Sequence, residues 1–391
     1  MNFADLQPEW TQQVETAVAY RRELHRIPEL PWCEFQTAAN IRDTLSRMSI
    51  SWRACAGTGT LATIAGGAGK HIALRADIDA LPIKEDSGVP WQSQHDGCMH
   101  ACGHDGHTAT LMLVAAVLKQ QEATLPGPVS LFFQPAEEGG HGAKRMIEDG
   151  ALTGIDAIYG WHNWPALALG TGYCPDGPIF SANASFNIKI SGQGGHASQP
   201  EACHDPVLAG AAVVMALQQI VSRRGAPQSP MVVSVTSFDG ASNPTVIRDH
   251  VTIEGSIRAA DTSVCHQMGE WIRQIAEPVA VAYGTTADCA YYPRYGATVN
   301  HAATAADVRD AINKYLGVQP EPAIAFPLMA SEDFSYYLEK VPGTFFVLGN
   351  RDSDQTAPAC HTANYCFNDK LIPLAARILL QLANADLPDL A

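Results

Sequence analysis

The sequence has few basic residues, and this shortage narrows the kinds of partner that the protein can bind. Its 391 residues include 25 Lys and Arg against 40 Asp and Glu, for a formal net charge of -15 at pH 7. Nucleic acids and anionic membrane surfaces are bound through basic patches. We therefore expect no nucleic-acid partner and no membrane partner, and we expect a small-molecule substrate instead.

The chain also lacks long hydrophobic runs and a paired cysteine framework. No run of 18 uncharged apolar residues occurs, and the N-terminus has neither the basic segment nor the apolar core of a signal peptide. The ten cysteines are scattered along the chain, unlike those of a small secreted disulfide scaffold. These absences predict a soluble, cytoplasmic protein with reduced thiols.

Length and residue pattern predict a larger domain of α/β structure and a smaller one. A chain of 391 residues with 46% hydrophobic residues exceeds the usual size of one domain. Helical runs alternate with short β-type runs in its first part, which is typical of an α/β sandwich with a parallel or mixed sheet. We predict helices at 6–26, 35–48, 107–120 and 143–149, and strands at 60–65, 71–75, 129–133 and 157–159.

From residue 185 the order of elements changes to β-α-β-β-α-β, which is the ferredoxin-like unit. The predicted strands are 185–190, 231–238, 251–258 and 287–294, and the predicted helices are 206–221 and 265–282. Because this unit is complete in itself, we predict an inserted α+β domain at 184–296. The first domain then comprises 1–183 and 297–391, to which helices at 302–316 and 372–383, a segment at 331–338 and a strand at 344–348 belong.

A dense group of metal-binding residue types occurs in the stretch M-H-A-C-G-H-D-G-H, at 99–107. Cys102 and His104 lie two residues apart in it, and thiolate and imidazole suit Zn, Mn, Co or Ni better than Ca or Mg. A divalent ion needs about four or more ligands, and a two-metal site needs more. The stretch therefore predicts half of a metal site.

Three other places offer the missing ligands. The sequence Q-P-A-E-E-G-G contains the adjacent acids Glu137 and Glu138, W-H-N-W contains His162, and His361 lies in a polar loop. Ligands collect beyond the carboxyl ends of strands in α/β sheets. We expect the two acids and His162 to meet there, together with Asp77.

The adjacent acids are the most informative pair. Neighbouring residues in an extended segment point in opposite directions, so one carboxylate can bind metal while the other takes a proton from an activated water. Without the histidines, Glu137 and Glu138 would be interpreted as a solvated acidic turn. An isolated Cys-x-His pair is likewise more often a buried thiol beside a turn histidine.

Two aspartates are candidates for supporting the ligands without binding metal. Asp77, in R-A-D-I-D-A-L-P, follows a strand and could orient a ligand histidine, although an Asx-turn before Pro82 is an alternative. Asp105, next to His104, is the second candidate. Asp105 and His107 fit equally well the N-cap region of the following helix.

Two further candidates lie in the inserted unit. His196 is in the glycine-rich segment G-Q-G-G-H-A-S, where backbone can approach a ligand closely, although a lone histidine is usually a surface residue. Arg258 ends a predicted strand, and an arginine there can hold a substrate carboxylate with two hydrogen bonds. The alternative for Arg258 is a surface salt bridge.

Seven motifs in order resemble one protein family. They read R-A-D-I-D-A-L-P, H-A-C-G-H-D-G-H, P-A-E-E-G-G, G-W-H-N, G-G-H-A-S, S-E-D-F-S-Y-Y and C-H-T-A-N-Y-x-F-N-D. From about Arg21 onward the chain resembles the aminoacylase and carboxypeptidase-G superfamily of binuclear metallopeptidases. It looks most like the amidohydrolase branch, which includes hippurate hydrolase, N-acyl-amino-acid amidohydrolases and auxin-conjugate hydrolases.

The resemblance implies a metallopeptidase catalytic domain with an inserted lid and dimerisation domain, and a homodimer. It also implies two divalent metal ions, manganese in the first place, with Zn, Co or Ni as alternatives. By motif position, the metal ligands would be Cys102, His104, Glu138, His162 and His361. Glu137 would be the general base and proton shuttle. His196 would stabilise the oxyanion in a neighbouring subunit's site, and Arg258 would hold the substrate carboxylate.

Two positions depart from the family pattern. Thr245 stands where the family has a substrate-binding asparagine, in T-V-I-R-D instead of N-V-I-P-D. Thr and Ala follow His361, where the family more often has a small residue and proline. The first departure bears on carboxylate recognition or substrate size, and the second bears on loop shape.

The predicted activity is metal-dependent hydrolysis of the amide bond of N-acyl amino acids. A metallo-exopeptidase or an N-acetyl-diaminopimelate-type deacylase of the same superfamily is the alternative. A non-catalytic metal sensor would have no use for a second acid at Glu137. A cysteine hydrolase would use Cys102 as nucleophile and His104 as base, but residues two apart around Gly103 are poorly placed for that.

Overall fold

A computed structural model describes residues 9–386 of the chain. The α-helices in chain order are α1 (Trp10–Arg26), α2 (Phe35–Arg47), α3 (His104–Gln120), α4 (Gly142–Glu148), α5 (Pro206–Leu217), α6 (Thr262–Ala282), α7 (Ala302–Leu316), α8 (Ser335–Leu338) and α9 (Leu371–Leu382). The strands are β1 (Ser51–Ala54), β2 (Thr60–Ile64), β3 (Ile72–Asp77), β4 (Val129–Gln134), β5 (Ala157–Ala168), β6 (Gly172–Tyr173), β7 (Gly177–Phe180), β8 (Ala182–Ser191), β9 (Gly195–His196), β10 (Met231–Asp239), β11 (Val246–Ile247), β12 (His250–Ala259), β13 (Thr286–Pro293), β14 (Thr298–Asn300) and β15 (Gly343–Arg351). The predicted mixed α/β fold is confirmed.

The chain divides into two compact units. Among the described residues, unit 1 comprises 9–179, 299–326 and 333–386, and unit 2 comprises 180–298 together with the short segment 327–332. Each unit has its own hydrophobic core. The segment 327–332 lies outside the predicted insertion at 184–296.

Unit 1 is built on a seven-stranded mixed sheet with the order β1-β2-β4-β3-β5-β15-β6. Strands β4, β3, β5 and β15 run parallel to one another, while β1, β2 and β6 pair antiparallel at the two ends. Every residue of β3 and β4 is buried. Fully buried parallel strands need helices on the faces of the sheet, and their carboxyl ends present side chains at a shared edge.

The central helix of unit 1 is α3, which carries the motif residues His104, Asp105 and His107. It packs against α1, α9 and β3, and its residues 104–118 are buried without a break. A helix that is buried on all sides holds its first turn rigidly. The N-terminus of α3 therefore holds its side chains in fixed positions.

Several predicted boundaries were wrong. Helix α3 begins at His104 instead of residue 107, so Asp105 and His107 lie inside its first turn, and Gly103 is the N-cap. Strand β5 runs to Ala168, so His162 lies within a strand and not after its end. The short strand β1 was not predicted, and residues 335–338 of the predicted segment 331–338 form α8. The predicted helix start at residue 6 lies outside the described residues.

Unit 2 is an antiparallel sheet with the order β10-β12-β8-β13, covered by α5 and α6. Its elements follow the predicted order β-α-β-β-α-β along the chain. Buried and partly exposed residues alternate along β8 and β12, as expected for a sheet with one covered face. The short strands β9 and β11 pair separately beside this sheet.

One helical stretch, 206–224, is long and apolar enough to cross a membrane by length and composition, and no other does so among residues 9–386. About 33% of it is buried. Its α5 portion packs on the sheet of unit 2 through Ala209, Val213 and Leu217. A core helix of a soluble protein passes the same test, so the stretch is weak evidence for a membrane span.

Candidate metal centre

The motif around Cys102 forms a tight turn that leads directly into α3. Gly103 has a φ of 96°, in the left-handed region that favours glycine. A Cβ atom at this position would lie 2.4 Å from Oδ1 of Asn163 and 2.6 Å from the hydroxyl oxygen of Tyr365. Glycine is therefore needed here, and it allows the side chains of Cys102 and His104 to meet at the start of one buried helix.

The first group of possible ligands consists of Cys102, His104 and His162. All three are buried, and their ligand atoms lie within 4.8 Å of one another. Nε2 of His162 is 3.2 Å from Sγ of Cys102. Nδ1 of His162 is 2.6 Å from the carbonyl oxygen of Asn163 and donates to it, so Nε2 keeps its lone pair on the side of Cys102.

The second group consists of Cys102, Glu138 and His361. Their ligand atoms also lie within 4.8 Å, and Nε2 of His361 is 3.0 Å from Oε1 of Glu138. His361 has a φ of 66°, a strained value for a residue with a side chain. Its backbone N–H donates to the carbonyl oxygen of Ala101 over 2.8 Å, which ties the distant C-terminal loop to the Cys102 motif.

The third group joins His104 to the adjacent acids Glu137 and Glu138. Strand β4 ends at Gln134, and the chain then turns sharply, because Ala136 has a φ of 52° and Gly139 N–H donates to the Glu137 carbonyl oxygen over 2.6 Å. Both carboxylates therefore face His104. Cys102, His104 and Glu138 each belong to two of the three groups, so the groups form one continuous centre.

Two atoms of this centre are buried without a hydrogen-bond partner in the described part of the chain. They are Nε2 of His104 and Oε1 of Glu138, and the nearest cationic neighbour of the latter is Nε2 of His361 at 3.0 Å. Buried polar atoms without partners are costly. Atoms of this kind fit the role of metal ligands, and the donor set of thiolate, imidazole and carboxylate suits Mn, Zn, Co or Ni.

The backbone and side chains of β3 and the loop after it orient the histidines of α3. Nδ1 of His104 donates to the carbonyl oxygen of Asp79 over 2.9 Å, which turns Nε2 toward the centre. Oδ1 of Asp77 is 2.7 Å from Nδ1 of His107, and its Oδ2 is 2.7 Å from a guanidinium nitrogen of Arg75. Burial alone raises the pKa of Asp77, but the positive charges of His104, Arg75 and His107 hold the pKa well below its usual value. Asp77 thus contacts His107 directly, and its role in orienting a ligand histidine stays a prediction.

Asp105 lies on another side of α3. Its Oδ2 is 2.8 Å from Nε of Arg21 and 2.8 Å from Nδ1 of His25, both in α1. Burial raises the pKa of Asp105, but the two cationic neighbours lower it far below its usual value. Asp105 therefore anchors α3 to α1, and its ion-pair partners are residues of α1 and not candidate ligands.

Sequence reasoning missed Glu34, which holds the loop of the acidic pair from behind. Its Oε1 accepts the backbone N–H of Ala136 over 2.8 Å, and its Oε2 accepts the hydroxyl of Thr58 over 2.6 Å. Burial raises the pKa of Glu34 to about 6, against the opposing hydrogen bond from Thr58. Nothing in the sequence near Glu34 points to Ala136, so no local signal could have found this contact.

A second missed set of residues surrounds His107. Its Nε2 is 2.8 Å from Oδ1 of Asn163, and Nδ2 of Asn163 donates to the hydroxyl oxygen of Tyr365 over 2.6 Å. Asn163 and Tyr365 belong to the motifs W-H-N-W and C-H-T-A-N-Y, close in sequence to the predicted ligands His162 and His361. That closeness was the signal that could have identified them.

The thiol of Cys102 is poorly suited to act as a nucleophile by itself. A hydrogen bond with Cys360 and then burial raise its pKa well above the usual value. Nucleophilic cysteines instead have lowered pKa values. This opposes the cysteine-hydrolase alternative.

The remaining candidates lie in unit 2. His196, in β9, is exposed and pairs with Val246 of β11. The hydroxyl and N–H of Thr245 both donate to Oδ1 of Asn243, over 2.9 and 3.1 Å. The Thr245 side chain is therefore engaged in a local turn.

Arg258, in β12, is partly buried and donates to the hydroxyl of Ser331 over 3.0 Å. Burial, followed by the positive charge of Arg294, lowers its pKa. No carboxylate of residues 9–386 lies within ion-pair distance of Arg258. The salt-bridge alternative is therefore not seen.

Comparison with known proteins agrees with this arrangement. The model of peptidase family M20/M25/M40 matches residues 73–385. The N-acetyl-L-cysteine deacetylase of Bacillus subtilis is 42% identical over 345 residues, which cover 88% of this chain and 82% of that protein. The IAA-amino acid hydrolase ILR1-like 4 of Arabidopsis thaliana is 37% identical over 379 residues, which cover 95% of this chain and 86% of that protein.

A solved structure agrees over nearly the whole length. The Bacillus subtilis YXEP protein, described as a dinuclear metal binding peptidase, superposes with a TM-score of 0.83 at 33% identity, covering 95% of this chain and 98% of that one.

Proposed function

This chain belongs to peptidase family M20/M25/M40, in its amidohydrolase branch, and we propose that it hydrolyses the amide bond of N-acyl amino acids with the help of two divalent metal ions. The observation that carries the proposal is the continuous centre of Cys102, His104, Glu138, His162 and His361, with the additional carboxylate of Glu137 beside it. The products are a carboxylic acid and a free amino acid.

The ligand groups support two metal positions. Cys102, His104 and His162 would hold one ion, while Glu138 and His361 with Cys102 would hold the other. Manganese is our first choice, and Zn, Co and Ni suit the same donors. When bound, such ions lower the pKa of water toward ~7 and polarise the substrate carbonyl.

Glu137 acts as the general base and then the general acid. Its carboxylate lies within 4.8 Å of ligand atoms of His104 and Glu138, and Oε1 accepts the backbone N–H of Asp333 over 3.4 Å. It takes a proton from the attacking water and passes a proton to the leaving amine nitrogen. Asp77 and Asp79 keep the histidines of α3 oriented during both steps.

Residues of unit 2 contact the substrate. Arg258 binds the free carboxylate of the amino-acid part, which agrees with its lack of a carboxylate partner in the described residues. His196 donates a hydrogen bond, in the neighbouring subunit's site, to the oxygen that gains negative charge in the tetrahedral intermediate. Thr245 stands where the family has a substrate-binding asparagine. Its hydroxyl donates to Asn243, so it supports the shape of the substrate-binding loop without supplying an amide group.

Unit 2 also serves as lid and dimerisation domain, in a homodimer. Leu208 and Met215 of α5 are 57% and 74% exposed, and β10 is an edge strand. Exposed apolar residues beside an open edge strand favour association of two copies. We expect Met215→Glu to shift the mass measured by light scattering from dimer to monomer. Val318→Glu, at a 91% exposed apolar position in unit 1, is the control that should leave the dimer intact.

The protein is proposed to act in the cytoplasm. The ten cysteines are all free thiols in the structure, and a metal-binding thiolate survives best in a reducing compartment.

The substrate class is tested with metal-loaded protein and three sets of compounds. N-acetyl, N-benzoyl and N-(indole-3-acetyl) amino acids should be hydrolysed, while the same compounds with the carboxylate converted to a carboxamide should show a much lower kcat/KM. Dipeptides with a free amino group form the third set. Cleavage of dipeptides alone would assign the chain to the exopeptidase alternative.

A further inference from the structure

The backbone around His196 is fixed by its neighbours. The strand β9 pairs with β11, so that His196 lies opposite Val246, and the N–H of Ala197 donates to the carbonyl oxygen of Thr245 over 2.9 Å. A Cβ atom at Gly194 would lie 2.5 Å from the carbonyl oxygen of Ile247. The backbone of this segment is therefore held against β11. These contacts do not fix the orientation or the tautomer of the His196 imidazole.

Ser198 sets both through two contacts with one ring nitrogen. Its backbone nitrogen is 3.2 Å from Nδ1 of His196, and its hydroxyl oxygen is 2.7 Å from the same atom. A backbone N–H can only donate, so Nδ1 must accept and carries no proton. The hydroxyl must then donate to Nδ1 as well. In the neutral ring the proton therefore lies on Nε2.

This tautomer is the one that the proposed reaction requires. An imidazole can stabilise a developing oxyanion only through a nitrogen that carries a proton, and a donor that is already in place costs no reorganisation during the reaction. A neutral ring with its proton on Nδ1 would present a lone pair at Nε2 and repel the oxyanion.

We propose that Ser198 is a positioning residue that holds neutral His196 as an Nε2–H donor. This inference rests on the proposed role of His196, but the tautomer itself can be observed without any reaction. Ser198 is not expected to touch the substrate. Its effect passes through one ring nitrogen.

The direct test is nitrogen NMR of the metal-loaded protein with ¹⁵N-labelled histidine. The His196→Gln variant identifies the His196 signals by their absence. At a pH where the ring is neutral, we expect Nδ1 of His196 to show the shift of an unprotonated nitrogen and Nε2 that of a protonated one. Ser198→Ala loses the 2.7 Å hydroxyl contact and keeps only the longer 3.2 Å contact of the backbone N–H, so a measurable fraction should move to the other tautomer. Ser198→Thr retains a hydroxyl and should restore the original pattern.

Kinetics of the same variants supply the second readout. One hydrogen bond corresponds to about a two- to tenfold change in rate. We expect kcat of Ser198→Ala to fall by about this factor with an unchanged KM, and Ser198→Thr to recover. Ser222→Ala removes an exposed hydroxyl of the same unit that bonds to the carbonyl oxygen of Gln218, and it should change neither quantity.

Two results would overturn the inference: a protonated Nδ1 in the parent protein, or identical His196 signals in the parent and Ser198→Ala. A failure of the proposed function looks different. If His196→Gln kept the full kcat, the role of His196 in the reaction would be wrong, whichever tautomer the spectra showed.

Discussion

Nε2 of His361 lies 3.0 Å from Oε1 of Glu138, although the two residues come from loops far apart in the sequence. The 2.8 Å hydrogen bond from the His361 N–H to the Ala101 carbonyl holds this approach in place. A carboxylate and an imidazole this close, with Cys102 within 4.8 Å of both, form one half of the proposed two-metal centre.

Removal of either residue should therefore cost one metal ion. We expect Glu138→Gln and His361→Asn to reduce the metal content, measured by mass spectrometry of the dialysed protein, from two ions per chain toward one. The control is His141→Asn in the loop after the acidic pair, because His141 bonds to the Tyr336 hydroxyl and belongs to none of the three ligand groups. Two ions retained in both ligand variants would exclude this assignment.

Glu137 should be needed for turnover and not for metal. Glu137→Gln retains the size of the side chain but cannot accept a proton, so we expect kcat to fall by about 10²–10⁴-fold. Metal content should stay at the parent level. Loss of metal together with activity would reassign Glu137 as a ligand.

Asp77 should act through the histidines that it contacts. Asp77→Asn keeps the shape but loses the charge that faces His107 and Arg75, and we expect metal affinity to fall by about 10–100-fold. Titration of chelator-treated protein with metal measures this. Asp156→Asn is the matched control. Asp156 lies just before β5, at the end of the sheet opposite to Asp77, and its carboxylate accepts the backbone N–H of His71. Equal affinities in the two variants would contradict the supporting role.

The raised pKa of Glu34 predicts that the free energy of unfolding depends on pH. Burial raises its pKa to about 6, so the folded protein binds a proton there more tightly than the unfolded chain does. The contribution of Glu34 to stability is thus fully present below pH ~4.5 and is lost as the pH rises through ~6, by about 2 kcal/mol.

Glu34→Gln removes this loss. The free energy of unfolding of the variant, relative to the parent, should therefore rise by up to about 2 kcal/mol between pH 4.5 and pH 7.5, as measured by urea denaturation at both values. Glu29→Gln is the comparison, because Glu29 also accepts backbone hydrogen bonds. A difference for Glu34→Gln that is constant with pH would show that its carboxyl has an ordinary pKa.

The order of the motifs was sufficient to predict the family and to single out residues that the fold brings together. Cys102 and His104 were singled out by the density of ligand-type residues at 99–107, and Glu138 and His361 because each is a strong ligand type after a strand or in a loop. His162 was also singled out, but its strand continues to Ala168, because parallel pairing with β15 extends β5 beyond its apolar core.

The supporting contacts could not be predicted in the same way. The bond from Ala136 to Glu34 joins two segments about a hundred residues apart, and neither carries a local pattern that points to the other. The start of α3 at His104 depends on the left-handed turn at Gly103, which packs against Asn163 and Tyr365. Such contacts follow from tertiary packing and not from local spacing.

The central claim is that hydrolysis of an N-acyl amino acid depends on metal bound at this centre. The most direct measurement is amine release from N-acetyl and N-benzoyl amino acids by chelator-stripped protein, before and after addition of Mn, Zn, Co or Ni. We predict no turnover in the stripped protein and restored turnover once two ions per chain are bound, with no restoration in Glu137→Gln. Full turnover in verified metal-free protein, or none in parent protein that has rebound two ions, would contradict the claim.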